Sequence, residues 1–224
     1  MKEKMKMVFF PKLGALFFIG LHLFGIETAL SLIIWKFNWS STNFFYPVLD
    51  ILTSALTIGA VIYLRRIRPE LFSLKSLRKL DFFLIFLCFG ALYIYFGKLL
   101  FVGGNPNIDL VFFRKTPQAI LVALQPFIIG PILEELLYRS VLMTSFFEKS
   151  KYFLDCLLPA IFFSIAHLFS YGFYLDLFKN YAVMGLVLAL LFKKTRSIYP
   201  PVLVHIFWNI YLGWDTILFV FLGK

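Results

Sequence analysis

The stretch Gly130-Pro131-Ile132-Leu133-Glu134-Glu135-Leu136-Leu137-Tyr138-Arg139 decides how this chain is read. Two adjacent carboxylates and an arginine interrupt an otherwise apolar run. Charged side chains are costly in lipid and rarely face it, so a run of this kind points inward, toward other protein. Glu135 and Arg139 are four residues apart, which puts them on one helix face within pairing distance. Glu134 points about 100° away from Glu135 and cannot use that arginine equally well. The plainest reading is a buried ion pair that fixes helix packing, since polar groups also hold membrane helices together. A chemical role needs further groups that converge on Glu134.

The surrounding chain is that of a membrane protein. Of its 224 residues 61% are hydrophobic and 15% charged, 30 are Phe, and the mean hydropathy is +0.85. A soluble domain is roughly 45–50% apolar and about 25% charged. The composition predicts an all-α, polytopic transmembrane bundle of seven to eight helices, with residues 1–224 as a single domain. Apolar runs long enough to span predict helices over 13–35, 46–64, 82–101, 118–147, 153–169, 175–192 and 198–213. The tail 214–222 is apolar but too short to cross alone. The run after Lys2, Lys4, Lys6 and Lys12 resembles a signal peptide only superficially, and it reads as a retained first helix.

The net charge of +10 does not indicate nucleic acid, because the basic residues cluster between the apolar runs. Alternate connections carry 15 basic residues on one side and six on the other, which predicts a cytoplasmic N-terminus and a multi-pass cell-membrane location. The basic and apolar connection 65–81 reads as an ordinary cytoplasmic loop rather than an amphipathic piece lying on the leaflet. Cys88 and Cys156 sit in or beside apolar runs and read as small hydrophobes. Pro117 and Pro200-Pro201 mark helix starts, where a missing N–H is tolerated.

Histidines are few, and two of them matter. His22 has only Glu27 near it and reads as a packing residue. His167 lies late in the predicted fifth helix, and His205 and Asn209 share one face of the seventh. At about 1.5 Å per residue, Glu134 and His167 each lie roughly 20 Å from the cytoplasmic ends of their helices. His205 and Asn209 lie roughly 11 and 17 Å above the start of theirs, so all four fall within about two turns in depth. A carboxylate beside an imidazole can take a proton from water and return it to a leaving amine. A second imidazole and an amide can donate hydrogen bonds to an oxyanion. Ser164, three residues before His167, is a weak candidate nucleophile. Glu with two His also suits a zinc ion with an open position.

The order Glu134-Glu135-x-x-x-Arg139, then Phe163-x-x-x-His167, then His205-x-x-x-Asn209 resembles the CAAX protease and bacteriocin-processing (CPBP, or Abi) family of intramembrane proteases. The resemblance covers about 118–211. It implies a membrane-helix bundle, commonly of eight, and an endopeptidase that attacks a peptide bond with water. Glu134 and His167 would activate the water, His205 and Asn209 would stabilise the oxyanion, and Glu135 with Arg139 would hold the site in shape. The family has been described both as metalloproteases and as metal-independent glutamate proteases; the expectation here is no cofactor, with a divalent metal such as zinc as the alternative. The implied partners are a peptide or protein substrate at the membrane, of CAAX or bacteriocin/pheromone type, and the bilayer itself, with no nucleic acid. The resemblance leaves oligomeric state open. A full eighth helix, as the family commonly has, is not evident after residue 213. Two competing classes are a non-catalytic bacteriocin-immunity or scaffold protein of the same fold, and a transporter using the buried charges. The second would favour inverted repeats, and none is evident.

Overall fold

A computed structural model describes residues 14, 17, 20, 42–74, 77–97, 124–147, 153–171, 174–215 and 217–218. Every regular element among them is helical. Helix α1 is Thr42–Ile67 and α2 is Lys79–Gly97. Helix α3, which carries the two glutamates, joins three stretches: Gln125–Ile129, Gly130–Glu135 and Leu136–Phe147. Helix α4 is Leu154–Tyr171, α5 is Leu175–Thr195 and α6 is Tyr199–Leu212. These six match the second to seventh expected spans within a few residues. The expected first helix over 13–35 lies almost wholly outside the described residues, as do residues 98–101, 118–123 and much of the tail, so the count of seven to eight is neither met nor refused.

Helix α3 departs from the expected regular span. Its middle stretch is α-helical, but the turns on either side are π-helical. Such widened turns are rare and gather at functional sites. The first follows from local chemistry. The Gly130 N–H bonds to the Gln125 carbonyl, five residues back, and a Cβ on residue 130 would lie 2.9 Å from that oxygen. Glycine is the residue that permits this approach.

The bundle is apolar outside and partly charged within. Along α2 only Asp81, Leu92 and Phe96 are buried, while Phe86 is 78% and Ile94 72% exposed. A helix apolar on all sides and bare over most of its surface suits lipid rather than water. Helices α2 and α5 are long and apolar enough to cross a bilayer, and 154–168 in α4 is a shorter apolar stretch. Inside lie Glu135, Arg139, Ser140, Ser164 and His205, all buried. They sit among Tyr138, Phe163 and Trp208 on one side and Leu136, Cys156 and Phe192 on the other. Lipid tails are as apolar as these side chains, so close van der Waals contact and polar bonds must hold the helices together.

Two such devices position α5. A Cβ on Gly185 would meet the Ala160 Cα of α4 at 3.0 Å, so the two backbones nearly touch. The Ser164 hydroxyl of α4 donates to the Phe178 carbonyl of α5 at 2.6 Å. Ser164 is therefore an interhelical tie, which accounts for its place beside His167 without a nucleophilic role.

The basic connections gather at one end. After α1 the chain turns through Pro69–Phe72, with Leu71 buried. The Ile198 N–H donates to the Leu71 carbonyl at 3.2 Å, and the Tyr199 hydroxyl to the Phe72 carbonyl at 3.0 Å. Lys193 pairs with Asp155 at 2.6 Å, which brings the start of α4 to the same end. The α1–α2 connection is thus pinned to the bundle rather than laid out as a free loop.

Candidate active site

Helices α3, α4 and α6 each bring one ionisable side chain to a common point. Glu134 Oε1 lies 4.0 Å from His167 Nε2, and Glu134 Oε2 lies 3.6 Å from His205 Nε2. Glu134 and His167 keep 18% and 16% of their side-chain surface, whereas His205 is closed off at 3%. The cluster therefore has an accessible side and a buried side.

The other ring nitrogens fix the orientation of both imidazoles. His167 Nδ1 lies 2.9 Å from the Phe163 carbonyl, which can only accept, so Nδ1 carries the proton. His205 Nδ1 lies 2.8 Å from Glu135 Oε1. Glu135 in turn pairs with Arg139, Oε2 to Nε at 3.1 Å, with both side chains fully buried. The ion pair expected from the spacing of four is present, and its carboxylate also orients a histidine. Arg139 Nη2 donates to the Gly185 carbonyl at 3.1 Å, tying the motif to α5.

Aromatic rings wall the cluster. Phe163, fully buried, lies 4.6 Å from the His167 ring, 5.8 Å from His205 and 5.3 Å from Tyr138, and the Arg139 guanidinium sits 4.9 Å over its face. Tyr181 of α5 stacks on His167 at 3.7 Å, nearly parallel at 23°. Neither Tyr181 nor Gly185 was singled out from the sequence. They are four apart on α5 and so share a face, but nothing in a run of apolar and aromatic residues marks that face as lining a site.

Asn209 is placed differently from the other three. It lies one turn beyond His205, and its amide donates to the Pro126 carbonyl at 2.9 Å, in the first π-helical turn of α3. The structure thus brings Glu134, His167 and His205 together around Glu135 and Arg139, and sets Asn209 at the edge.

The donor set does not suit a metal as it stands. A zinc ion needs its ligand atoms about 2.0–2.2 Å from one point. Here the two imidazoles approach different oxygens of one carboxylate, and among the described residues no three His, Cys, Asp or Glu side chains form a metal-holding group.

The chain is similar to known proteins. The family model "Type II CAAX prenyl endopeptidase Rce1-like" matches residues 116–211. A Bacillus subtilis (strain 168) protein named "Putative membrane peptidase YdiL" is 29% identical over 110 residues, which is 48% of this chain and 41% of that protein. The chain thus spans less than half of that relative's length. A Lactococcus lactis subsp. lactis (strain IL1403) protein, "UPF0177 protein YbdJ", is 30% identical over 171 residues, covering 72% of this chain and 71% of that protein. No solved structure matches the chain. An apolar exterior around a charged core defines a helical membrane protein, and the chain belongs to the CPBP family.

Proposed function

We propose that this chain is an intramembrane endopeptidase, multi-pass in the cell membrane, that hydrolyses peptide bonds of membrane-associated substrates with a glutamate-activated water. The observation that carries the reading is the meeting of the Glu134 carboxylate with Nε2 of His167 and of His205 from three separate helices. Separations of 4.0 and 3.6 Å are too long for direct hydrogen bonds. They suit a water that bridges carboxylate and imidazole.

In this reading Glu134 accepts a proton as the water oxygen bonds to the scissile carbonyl carbon. The carbonyl oxygen becomes an oxyanion. When the C–N bond breaks, the same proton passes to the leaving amine, and an acid and an amine are released. His167, its Nδ1–H committed to Phe163, turns Nε2 toward the water. His205, its Nδ1 held by Glu135, turns Nε2 toward the oxyanion and donates to it when protonated. Asn209 spends one amide N–H on Pro126, and its second N–H is the one for the oxyanion. Glu135 and Arg139 keep the rings aligned. No step is routed through a metal, since the donor set does not converge on one point.

A CAAX-type substrate, a prenylated peptide cut near its C-terminus, is the class indicated by the matching family's printed name. The test is Glu134→Gln, which keeps size and removes the base. At normal membrane abundance it should abolish cleavage of an internally quenched farnesylated peptide that the unaltered protein cleaves, and should fail to complement a deletion strain. Full complementation by Glu134→Gln would instead establish a non-catalytic immunity or scaffold role.

A further inference from the structure

The hydrogen bond from Asn209 to Pro126 has a cause in the sequence of α3. In an α-helix the Pro126 carbonyl would accept from residue 130, and in a π-helix from residue 131. The Gly130 N–H is directed to the Gln125 carbonyl instead. Residue 131 is proline and has no N–H. Both regular helical partners of this carbonyl are therefore missing, in a chain whose surroundings offer little water. Asn209 Nδ2, from α6, supplies the bond at 2.9 Å. The same two segments approach closely a second time, where a Cβ on Gly213, just past the end of α6, would collide with the Phe127 ring.

We propose that Asn209, beside the oxyanion contact assigned to its second N–H, is also a positioning residue: its first N–H replaces the hydrogen bond that Pro131 cannot donate, and so clamps α6 to the π-turn that leads into Glu134. The clamp joins the two helices that carry Glu134 and His205: Glu134 lies three residues beyond Pro131 on one side, and His205 one turn before Asn209 on the other. Pro131 and Asn209 are then energetically coupled although they do not share a helix. The inference does not depend on peptide cleavage, because it is read from unfolding and spectra of the full chain without substrate.

The experiment is a double-mutant cycle in detergent. Asn209→Ala should lower the unfolding temperature. Asn209→Asp should lower it further, since a carboxylate would face a carbonyl with no donor between them. Pro131→Ala restores an N–H at residue 131, so the double variant P131A/N209A should unfold closer to the unaltered protein than N209A does. In protein labelled with ¹⁵N-asparagine, P131A alone should move the Asn209 side-chain amide proton upfield, as the backbone competes for the Pro126 carbonyl; a residue that merely fills space would show no such shift. The proposal is overturned if P131A neither raises the stability of N209A nor moves that resonance. Should P131A fail to accumulate, the order of the other two variants decides: N209D less stable than N209A supports the clamp, and equal stability overturns it.

Discussion

Two adjacent carboxylates have separate tasks because a helix turns about 100° between them. Glu135 faces inward, with Oε1 hydrogen-bonded to His205 and Oε2 in an ion pair with Arg139. Glu134 faces the accessible side of the cluster. Removing one partner of a buried ion pair leaves an uncompensated charge and costs about 3–5 kcal/mol. Arg139→Ala should accordingly reduce folded protein in the membrane and lower its unfolding temperature in detergent; unchanged values would show the pair to be dispensable. Tyr181 holds the His167 ring by stacking on it. Tyr181→Ala lets the ring tilt, and a misplacement of about 1 Å can cost about 10²-fold in rate. A loss of that order in kcat, with the protein still folded, is the expected outcome. Chelators should leave cleavage unchanged, because the imidazoles address different oxygens of Glu134; activity lost to a chelator and regained with zinc would contradict this.

At the scale of the element, α5 works as a backing plate for the motif helix. The Gly185 carbonyl receives Arg139, and the missing side chain at the same residue lets α4 approach. Gly185→Ala would put a Cβ 3.0 Å from the Ala160 Cα, and a backbone atom cannot step aside as a side-chain tip can. Overpacking of this kind costs about 1–3 kcal/mol. Thermal unfolding should register the loss. Ala160→Gly in the same protein removes the second-nearest contact, at 3.2 Å, and should recover part of it. Helix α3 depends on its neighbours too. Its widened turns leave carbonyls off the regular ladder, and α6 answers one of them through Asn209.

For the whole molecule, orientation is the property most open to test. The connection after α1, with Arg65 and Arg66 in its last turn, bonds to the connection after α5, with Lys193 and Lys194 in its last turn. Both basic ends therefore face one side of the bundle, as the charge count requires. Single cysteines at residues 66 and 194 should both be shielded from an impermeant thiol reagent added outside intact cells. Labelling of either from outside would reverse the proposed topology.

Much of this was legible in the sequence because lipid makes the rules strict. Spans of about 20 apolar residues are needed to cross, so the ends of α1, α2, α4, α5 and α6 could be read within a few residues. Ionisable side chains in such spans are expensive, so Glu134, Glu135, Arg139, His167 and His205 stood out against their background. The spacing of four gave the Glu135–Arg139 pair, because it is a property of one helix. The common depth of Glu134, His167 and His205 could be counted along their helices, but which side chains touch across two helices required the tertiary structure. Tyr181 and Gly185 are an aromatic and a small residue among dozens alike, and only the packing of α5 against α3 and α4 selects them. The same holds for Asn209. Its spacing from His205 fixed the face it shares, but that its amide also meets a backbone carbonyl depended on where Pro131 left an acceptor unanswered, seventy-eight residues earlier in the chain.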